Sequence, residues 1–365
     1  MKKFNLTNER TQRNLAPFIS IFLGFVVGFI LLLLLGFNPV EGYSFLFHGG
    51  VRGVLSGDFR QLGNVLLNTT PLILTGLAIA FAFRTGLFNI GVTGQMLMGG
   101  FFGILVGAMI ELPRIIHVPL MILASITGGA LWAFVPGVLK AKFRINEVVT
   151  GIMMNYIALW GVQYYVGSWI PGRFPTESAM IHHTASLRVN WMTQLFNGSA
   201  VNIGLILAIL ACYLIWLILE KTTFGYELKA VGFNQDAAQY AGMKVKKNIM
   251  LSMFISGALA GLAGATFYAG FTNHVLVGEL PSQGFDGIAV ALLGLNTPIG
   301  IFLSALLLGF MNIGGQYMQT MARIPKELVD IIISTIIYFA ALTLLIQSFF
   351  KQLNSNNKKR NGGGK

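Results

Sequence analysis

Nine stretches without a charged side chain, at 14–40, 61–83, 85–110, 118–139, 148–172, 189–219, 248–278, 287–322 and 331–350, make up most of this sequence. A helix needs about 20 apolar residues to cross the hydrocarbon of a bilayer, and each run but the last exceeds that. Only 10% of the residues are charged, against about 25% in a soluble domain, so the chain is an integral membrane protein. The run 287–322 holds 36 residues and is interrupted by Asn296-Thr297-Pro298. Two segments, the first of them short, fit it better than one tilted helix. The expectation is an all-α polytopic protein with about ten transmembrane segments, residues 1–350 forming the membrane domain.

The net charge of +12 does not point to nucleic acid. The basic residues sit at the ends of apolar runs, where they set topology, rather than in a patch interleaved with surface aromatics. Lys2, Lys3, Arg10 and Arg13 precede an apolar core from Ala16 to Phe37. That core is longer than a signal peptide's and lacks a small-residue cleavage site, so a retained first helix is expected. With the N-terminus inside, inner segments carry 18 basic residues and outer segments 7, which predicts that both termini are cytoplasmic. The Asn-, Lys- and Gly-rich segment 351–365 reads as a disordered basic cytoplasmic tail. Cys212 is the one cysteine, so no intrachain disulfide forms. The scattered histidines, with His182-His183 the one adjacent pair, suggest no metal site.

Three connecting segments stand out. The outer segment 38–64 mixes aromatics with glycine and charge, as an interfacial helix does. The outer segment 171–200 is polar, with Trp169 and Trp191 at its edges, and either docks an external partner or simply connects. The inner loop 221–247 carries five lysines. Within it Gly232-Phe233-Asn234-Gln235-Asp236 reads as a turn and N-cap, Ala237 to Ala241 as a short helix, and Gly242 as its stop. This loop presents a capped helix to a cytoplasmic partner, or is a solvated connector.

Polar groups at membrane depth need a reason. Asn89 and Gln95 fall on the third run, Asn155 on the fifth, and Asp286 heads the short eighth segment. Their amide and carboxyl groups suit a polar, uncharged solute, with Phe88 and Phe285 as stacking faces; the other reading is hydrogen bonding between helices. Asp286 and Glu147, near segment ends, could equally cap helices. Gly86-Leu87-Phe88-Asn89-Ile90-Gly91-Val92 and Gly284-Phe285-Asp286-Gly287-Ile288-Ala289-Val290 each place phenylalanine, a short polar residue and glycine at the head of an apolar run. They suggest an inverted repeat with broken helices, the architecture that puts solute sites at the repeat interface. Glycines at Gly24/Gly28, Gly99/Gly103/Gly107 and Gly257/Gly261 read as close helix packing.

The segments FRTGLFNIGVTGQMLMGG (83–100), NEVVTGIMMNYIAL (146–159), KTTFGYELKAVGFNQDAAQYAG (221–242), SGALAGLAGA (256–265) and GFDGIAVALLGLNTPIG (284–300) resemble bacterial ABC-importer permeases of the simple-sugar and branched-chain amino-acid branch. Within that branch they are most similar to the nucleoside-uptake members. Asp236-Ala237-Ala238-Gln239-Tyr240-Ala241-Gly242 looks like the coupling motif of those permeases, aspartate replacing the commoner glutamate, and Thr93 stands where many relatives carry an acidic residue or alanine.

The resemblance implies a nucleoside permease subunit paired with a second, non-identical permease. It implies a cytoplasmic ABC ATPase, holding the ATP and Mg, that grips loop 221–247 through Gly232, Asn234, Asp236, Ala237, Ala238, Tyr240 and Gly242. An extracellular lipid-anchored binding protein would deliver the solute. Phe88, Asn89, Gln95, Asn155, Phe285 and Asp286 are the expected path residues. The chain itself has no GxxxxGK[ST] sequence and no metal-ligand cluster or nucleophile–base pair, so it is expected to be neither an ATPase nor an intramembrane enzyme. A permease for sugars is the near alternative. An ion-coupled secondary transporter is the distant one, for which the buried carboxylates are few.

Overall fold

The computed structural model describes residues 9–342, and among them every regular element is a helix. Two isolated bridges, Pro171 with Ser178 and Glu177 with Leu276, are the extended pairings among these residues. The tail 351–365 lies outside the described residues. In chain order the helices are α1 (Glu9–Leu34), α2 (Pro39–Val51), α3 (Arg60–Arg84), α4 (Val92–Met109), α5 (Arg114–Phe143), α6 (Glu147–Trp169) and α7 (Asn190–Leu195). They continue with α8 (Gly204–Lys221), α9 (Thr223–Phe233), α10 (Gln235–Tyr240), α11 (Val245–Gly264), α12 (Gln283–Leu293), α13 (Pro298–Ala322) and α14 (Lys326–Ala341).

Among the described residues, six helices are long and apolar enough to cross a membrane: Arg60–Arg84, Val92–Met109, Arg114–Phe143, Gly204–Lys221, Val245–Thr272 and Pro298–Ala322. The fifth joins α11 to a π-helical turn, Ala265–Thr272. Ile21–Leu34 and Gln283–Leu293 are shorter apolar helices.

Helix boundaries depart from the charge-free runs where the chain turns without using charge. The run 85–110 becomes helical only at Val92, because Thr85 to Gly91 is a turn. The run 189–219 contains one six-residue helix, α7, and then a turn at Asn197 and Gly198, both at positive φ. Its spanning helix begins only at Gly204. In contrast, the break expected at Asn296-Thr297-Pro298 is present: α12 ends at Leu293, Leu295 and Asn296 adopt left-handed backbone, and Pro298 opens α13. Proline at the first helical position needs no N–H donor. The segment 38–64 holds α2 and the first residues of α3.

The chain divides into two compact units, one of residues 1–49 and 314–365 and one of residues 50–313. In the first, α14 packs on α1 at Gly24, where a Cβ would lie 2.7 Å from Ile336 Cα. In the second, α3, α4 and α11 are central and α5 and α8 peripheral; the most apolar window of α3 is 89% buried and that of α8 only 28%. Gly99 meets Gly261, and Gly129 meets Gly257 and Gly261, so backbones touch where α11 crosses α4 and α5. The packing reading of those glycines accounts for them.

The segment 171–200 is bound along its length. Ser178 N–H donates to Val275 O (3.0 Å), Ile181 N–H to Asn273 O (3.1 Å) and Leu187 N–H to Ala269 O (3.2 Å). Arg188 donates to the carbonyls of Gly270 (3.2 Å) and Phe271 (2.8 Å). It forms a fixed cover over the end of the π-helical turn, because those terminal carbonyls lack helical donors.

Candidate functional site

The site begins where α3 stops. Gly86, at φ 73°, allows the chain to leave the helix: Gly86 N–H donates to Phe83 O (3.0 Å) and Leu87 N–H to Ala82 O (3.1 Å). Non-helical backbone buried in a membrane protein must find partners outside a helix ladder. Side chains supply them. Asn89 Oδ1 accepts from Gly91 N–H (3.1 Å), Asn155 Oδ1 accepts from Gly94 N–H (2.8 Å), and Asn155 Nδ2 donates to Ile90 O (3.1 Å).

Asn89 and Gln95 also form a reciprocal amide pair at 2.9 and 3.0 Å. Asn89 Nδ2 further donates to Ser256 Oγ (2.8 Å), whose hydroxyl donates to Ala78 O (2.6 Å). Thr85 Oγ1 donates to Ser252 Oγ at 2.8 Å.

The fold therefore gathers Asn89, Gln95 and Asn155 around one connector, at 1%, 1% and 2% exposure. In this conformation their amides hold the turn between α3 and α4 to α6 and α11. The two serines completing this network, Ser252 and Ser256, were not singled out from the sequence; Ser256 opens the SGALAGLAGA stretch, which reads by itself as packing.

Phe88 and Phe285 lie on different elements, the connector before α4 and the first turn of α12. Phe88 stacks on Phe83, with ring centroids 5.2 Å apart and planes 15° from parallel. Phe285, 45% exposed, stands with Asp286 in the first turn of α12. The second stretch of the suspected repeat meets the residue just after the first: Gly284 packs against Thr93 at the start of α4, where a Cβ would lie 2.5 Å from Thr93 Cα. The starts of two helices thus face one another, and Thr93 Oγ1 is buried there without a hydrogen-bond partner.

The segment 221–247, expected to be a loop around one short helix, is almost wholly helical. Thr222 caps α9, its Oγ1 accepting from Gly225 N–H (3.1 Å). Asn234 ends α9 and starts α10, its Oδ1 accepting from Ala237 N–H (3.0 Å). Asp236 lies in the first turn of α10, where a negative charge suits the helix dipole. Gly242, at φ 83°, ends α10 with its N–H donated to Gln239 O (3.0 Å), as a C-terminal glycine does. A helix–turn–helix had no strong signature because Gly225 and Gly232 dilute the α9 pattern.

Only one side of α10 is buried. Ala238 sits in an apolar cluster with Ala82, Leu87, Val231 and Met253, while Phe233 and Tyr240 are 92% and 95% exposed. Two aromatic rings beside a capped helix form a surface with a buried footing and a free outer face. That footing reaches the connector directly. A Cβ on Gly232 would meet the Arg84 carbonyl and lie 3.1 Å from Gly86 N. Arg84 in turn donates from Nη2 to Asn296 O (2.8 Å) in the turn between α12 and α13. One backbone junction thus joins α9, the end of α3 and the head of α13.

Comparison with known proteins places the chain in a family. The chain is 45% identical over 93% of its length to the guanosine ABC transporter permease protein NupP of Bacillus subtilis (strain 168), covering 96% of that protein. It is 40% identical over 93% of its length to the nucleoside ABC transporter permease protein NupB of Lactococcus lactis, covering 94% of it. It is 32% identical over 92% to the glucose ABC transporter permease protein TsgB13 of Haloferax volcanii, covering 88% of it. No solved structure matches the chain. The family described as the permease component of branched-chain amino acid transport systems matches residues 61–341, and this multi-pass membrane chain belongs to it.

Proposed function

We propose that the chain is one of two permease subunits of an ATP-driven importer of nucleosides in the cell membrane. The observation that carries this reading is the 45% identity, over nearly the whole of both chains, to a guanosine permease. The sugar alternative draws on more distant glucose permeases, at 32% and 26% identity.

In this reading the chain crosses the membrane about ten times, α12 being a short segment, with both termini cytoplasmic as the basic residues favour. A cytoplasmic ABC ATPase holds ATP and Mg and docks on the segment from Gly232 to Gly242, with Asp236, Ala237 and Tyr240 at the contact. A second, non-identical permease completes the path, and an extracellular lipid-anchored protein delivers the solute. Phe88, Phe285 and Asp286 border the path, and Asn89, Gln95 and Asn155 hold the connector that shapes it. ATP binding moves the docked segment, and the junction of Gly232 with Arg84 and Gly86 carries that movement to the connector.

Reconstitution in proteoliposomes tests the reading. The complete complex should accumulate radiolabelled guanosine only with ATP, and unlabelled nucleosides should compete better than glucose. Accumulation against a gradient by this chain alone, without nucleotide, would overturn it.

A further inference from the structure

The junction of α3, α9 and α13 holds a positive charge that the chain does not balance. Arg84 ends α3 and is half-buried there, and among the described residues no carboxylate pairs with it. A guanidinium carries five N–H donors. Nη2 gives one to Asn296 O (2.8 Å), and the Nε–H is buried and donates to no protein group. A charge taken partly out of water without a counter-ion costs stability, so Arg84 calls for an anion from elsewhere.

The structure leaves room for one. Arg84 lines a pocket of about 200 Å³ with Phe83, Lys229, Gly232 and Phe233, where a water needs about 10–15 Å³ of such space. Phe233 is exposed at its rim. Lys229 Nζ donates to Glu220 Oε1 at 2.7 Å, so that pair is neutral and Arg84 leaves one positive charge over. A single excess charge suits a carboxylate better than a dianionic phosphate, and a guanidinium fork matches a carboxylate with two parallel hydrogen bonds. The rings of Phe83 and Phe233 supply apolar walls for the stem that carries it. The pocket also runs into the segment proposed to meet the ATPase, since Gly232 and Phe233 belong to both.

We propose that this pocket receives an aspartate or glutamate side chain of the ATPase, whose carboxylate pairs with Arg84 beside the Lys229–Glu220 pair. The proposal rests on the docking reading above and deepens it. It names the chemistry of the partner's contact and two residues, Arg84 and Lys229, that lie outside the segment from Gly232 to Gly242. Arg84 also holds the Asn296 carbonyl in the turn before α13, so one side chain would tie the ATPase to that turn.

The test titrates purified ATPase onto the complete permease pair in nanodiscs of phosphatidylcholine, with and without phosphatidylglycerol. Arg84→Gln removes the charge and keeps an amide donor for Asn296 O. It should weaken ATPase binding about tenfold, the effect of one hydrogen bond to a charged group, and equally in both lipids. Arg84→Lys keeps the charge and should retain most of the affinity. Carbodiimide should join the amine of that variant to an acidic residue of the ATPase, identified by mass spectrometry. Wild-type affinity in Arg84→Gln overturns the proposal. So does a loss confined to discs with phosphatidylglycerol, which would assign the pocket to a lipid headgroup. Should Arg84→Gln fail to assemble, the absence of a cross-link from Arg84→Lys to the ATPase overturns it. Failure of the proposal with ATPase still cross-linked to the segment from Gly232 to Gly242 leaves the docking reading standing. An ATPase that binds the wild-type pair and cross-links nowhere on residues 221–247 would refute that reading, and the proposal with it.

Discussion

Replacing Asn89 with alanine separates two roles for the polar residues at membrane depth. Asn89 makes four hydrogen bonds, two with Gln95 and one each with Ser256 and the Gly91 N–H. Interhelical hydrogen bonds in membranes average about 0.6 kcal/mol each, so the four set a floor of about 2 kcal/mol. The substitution also strands both amide atoms of Gln95 and the Gly91 N–H in a site that is 1% exposed. Each buried group left unpaired costs about 1–3 kcal/mol, which raises the expected loss to about 5 kcal/mol. Ser256 keeps its bond to Ala78 O and adds little.

Thermal unfolding of the detergent-solubilised chain measures this directly. Asn89→Ala should unfold several degrees below wild type. Asn89→Asp retains Oδ1 for Gly91 but turns a second oxygen toward Gln95 Oε1 and should also be less stable. If Asn89→Ala unfolded like wild type while uptake shifted among solutes, the amide would be contacting solute and the argument from its hydrogen bonds would fail.

Three further outcomes concern the segment proposed to meet the ATPase. Gly232→Val places a side chain against the Arg84 carbonyl, an overpacking worth about 1–3 kcal/mol; the complex should still assemble and hydrolyse ATP, with uptake lost, and retained uptake would dismiss the junction as a transmitter. Asn234→Ala removes the bond to Ala237 N–H (3.0 Å) and about 1 kcal/mol of capping, so affinity for the ATPase, measured by co-purification, should fall, and Asn234→Ser should restore it. Gly242→Val forces a β-branched residue into left-handed backbone at φ 83°, a strain of about 1–2 kcal/mol. It should abolish uptake while leaving the chain in the membrane, as should a bulky residue at Asp236, and active variants of both would remove the coupling role.

Much of the fold is legible because hydrocarbon imposes a length and a composition on whatever crosses it. The break at Asn296-Thr297-Pro298, the stop at Gly242 and the cap before Ala237 are legible for a local reason: each depends on backbone within a few residues. The charge-free run 189–219 does not by itself mark where its span begins, because absence of charge marks a tolerable environment, while the helix start needs the turn at Asn197-Gly198 and the bonds at Asn202, whose Oδ1 accepts from Gly204 N–H at 2.8 Å.

The sequence by itself determined the solvent, the helical class and the residues that end helices, since those follow from apolar length and from side chains acting on their own neighbours. It also showed which polar groups needed an explanation. Only the tertiary structure decided what that explanation is. Whether an amide faces a solute or a neighbouring backbone depends on pairs as far apart as Gly94 and Asn155 or Asn89 and Ser256, and no local rule fixes a contact between residues that meet only when helices pack.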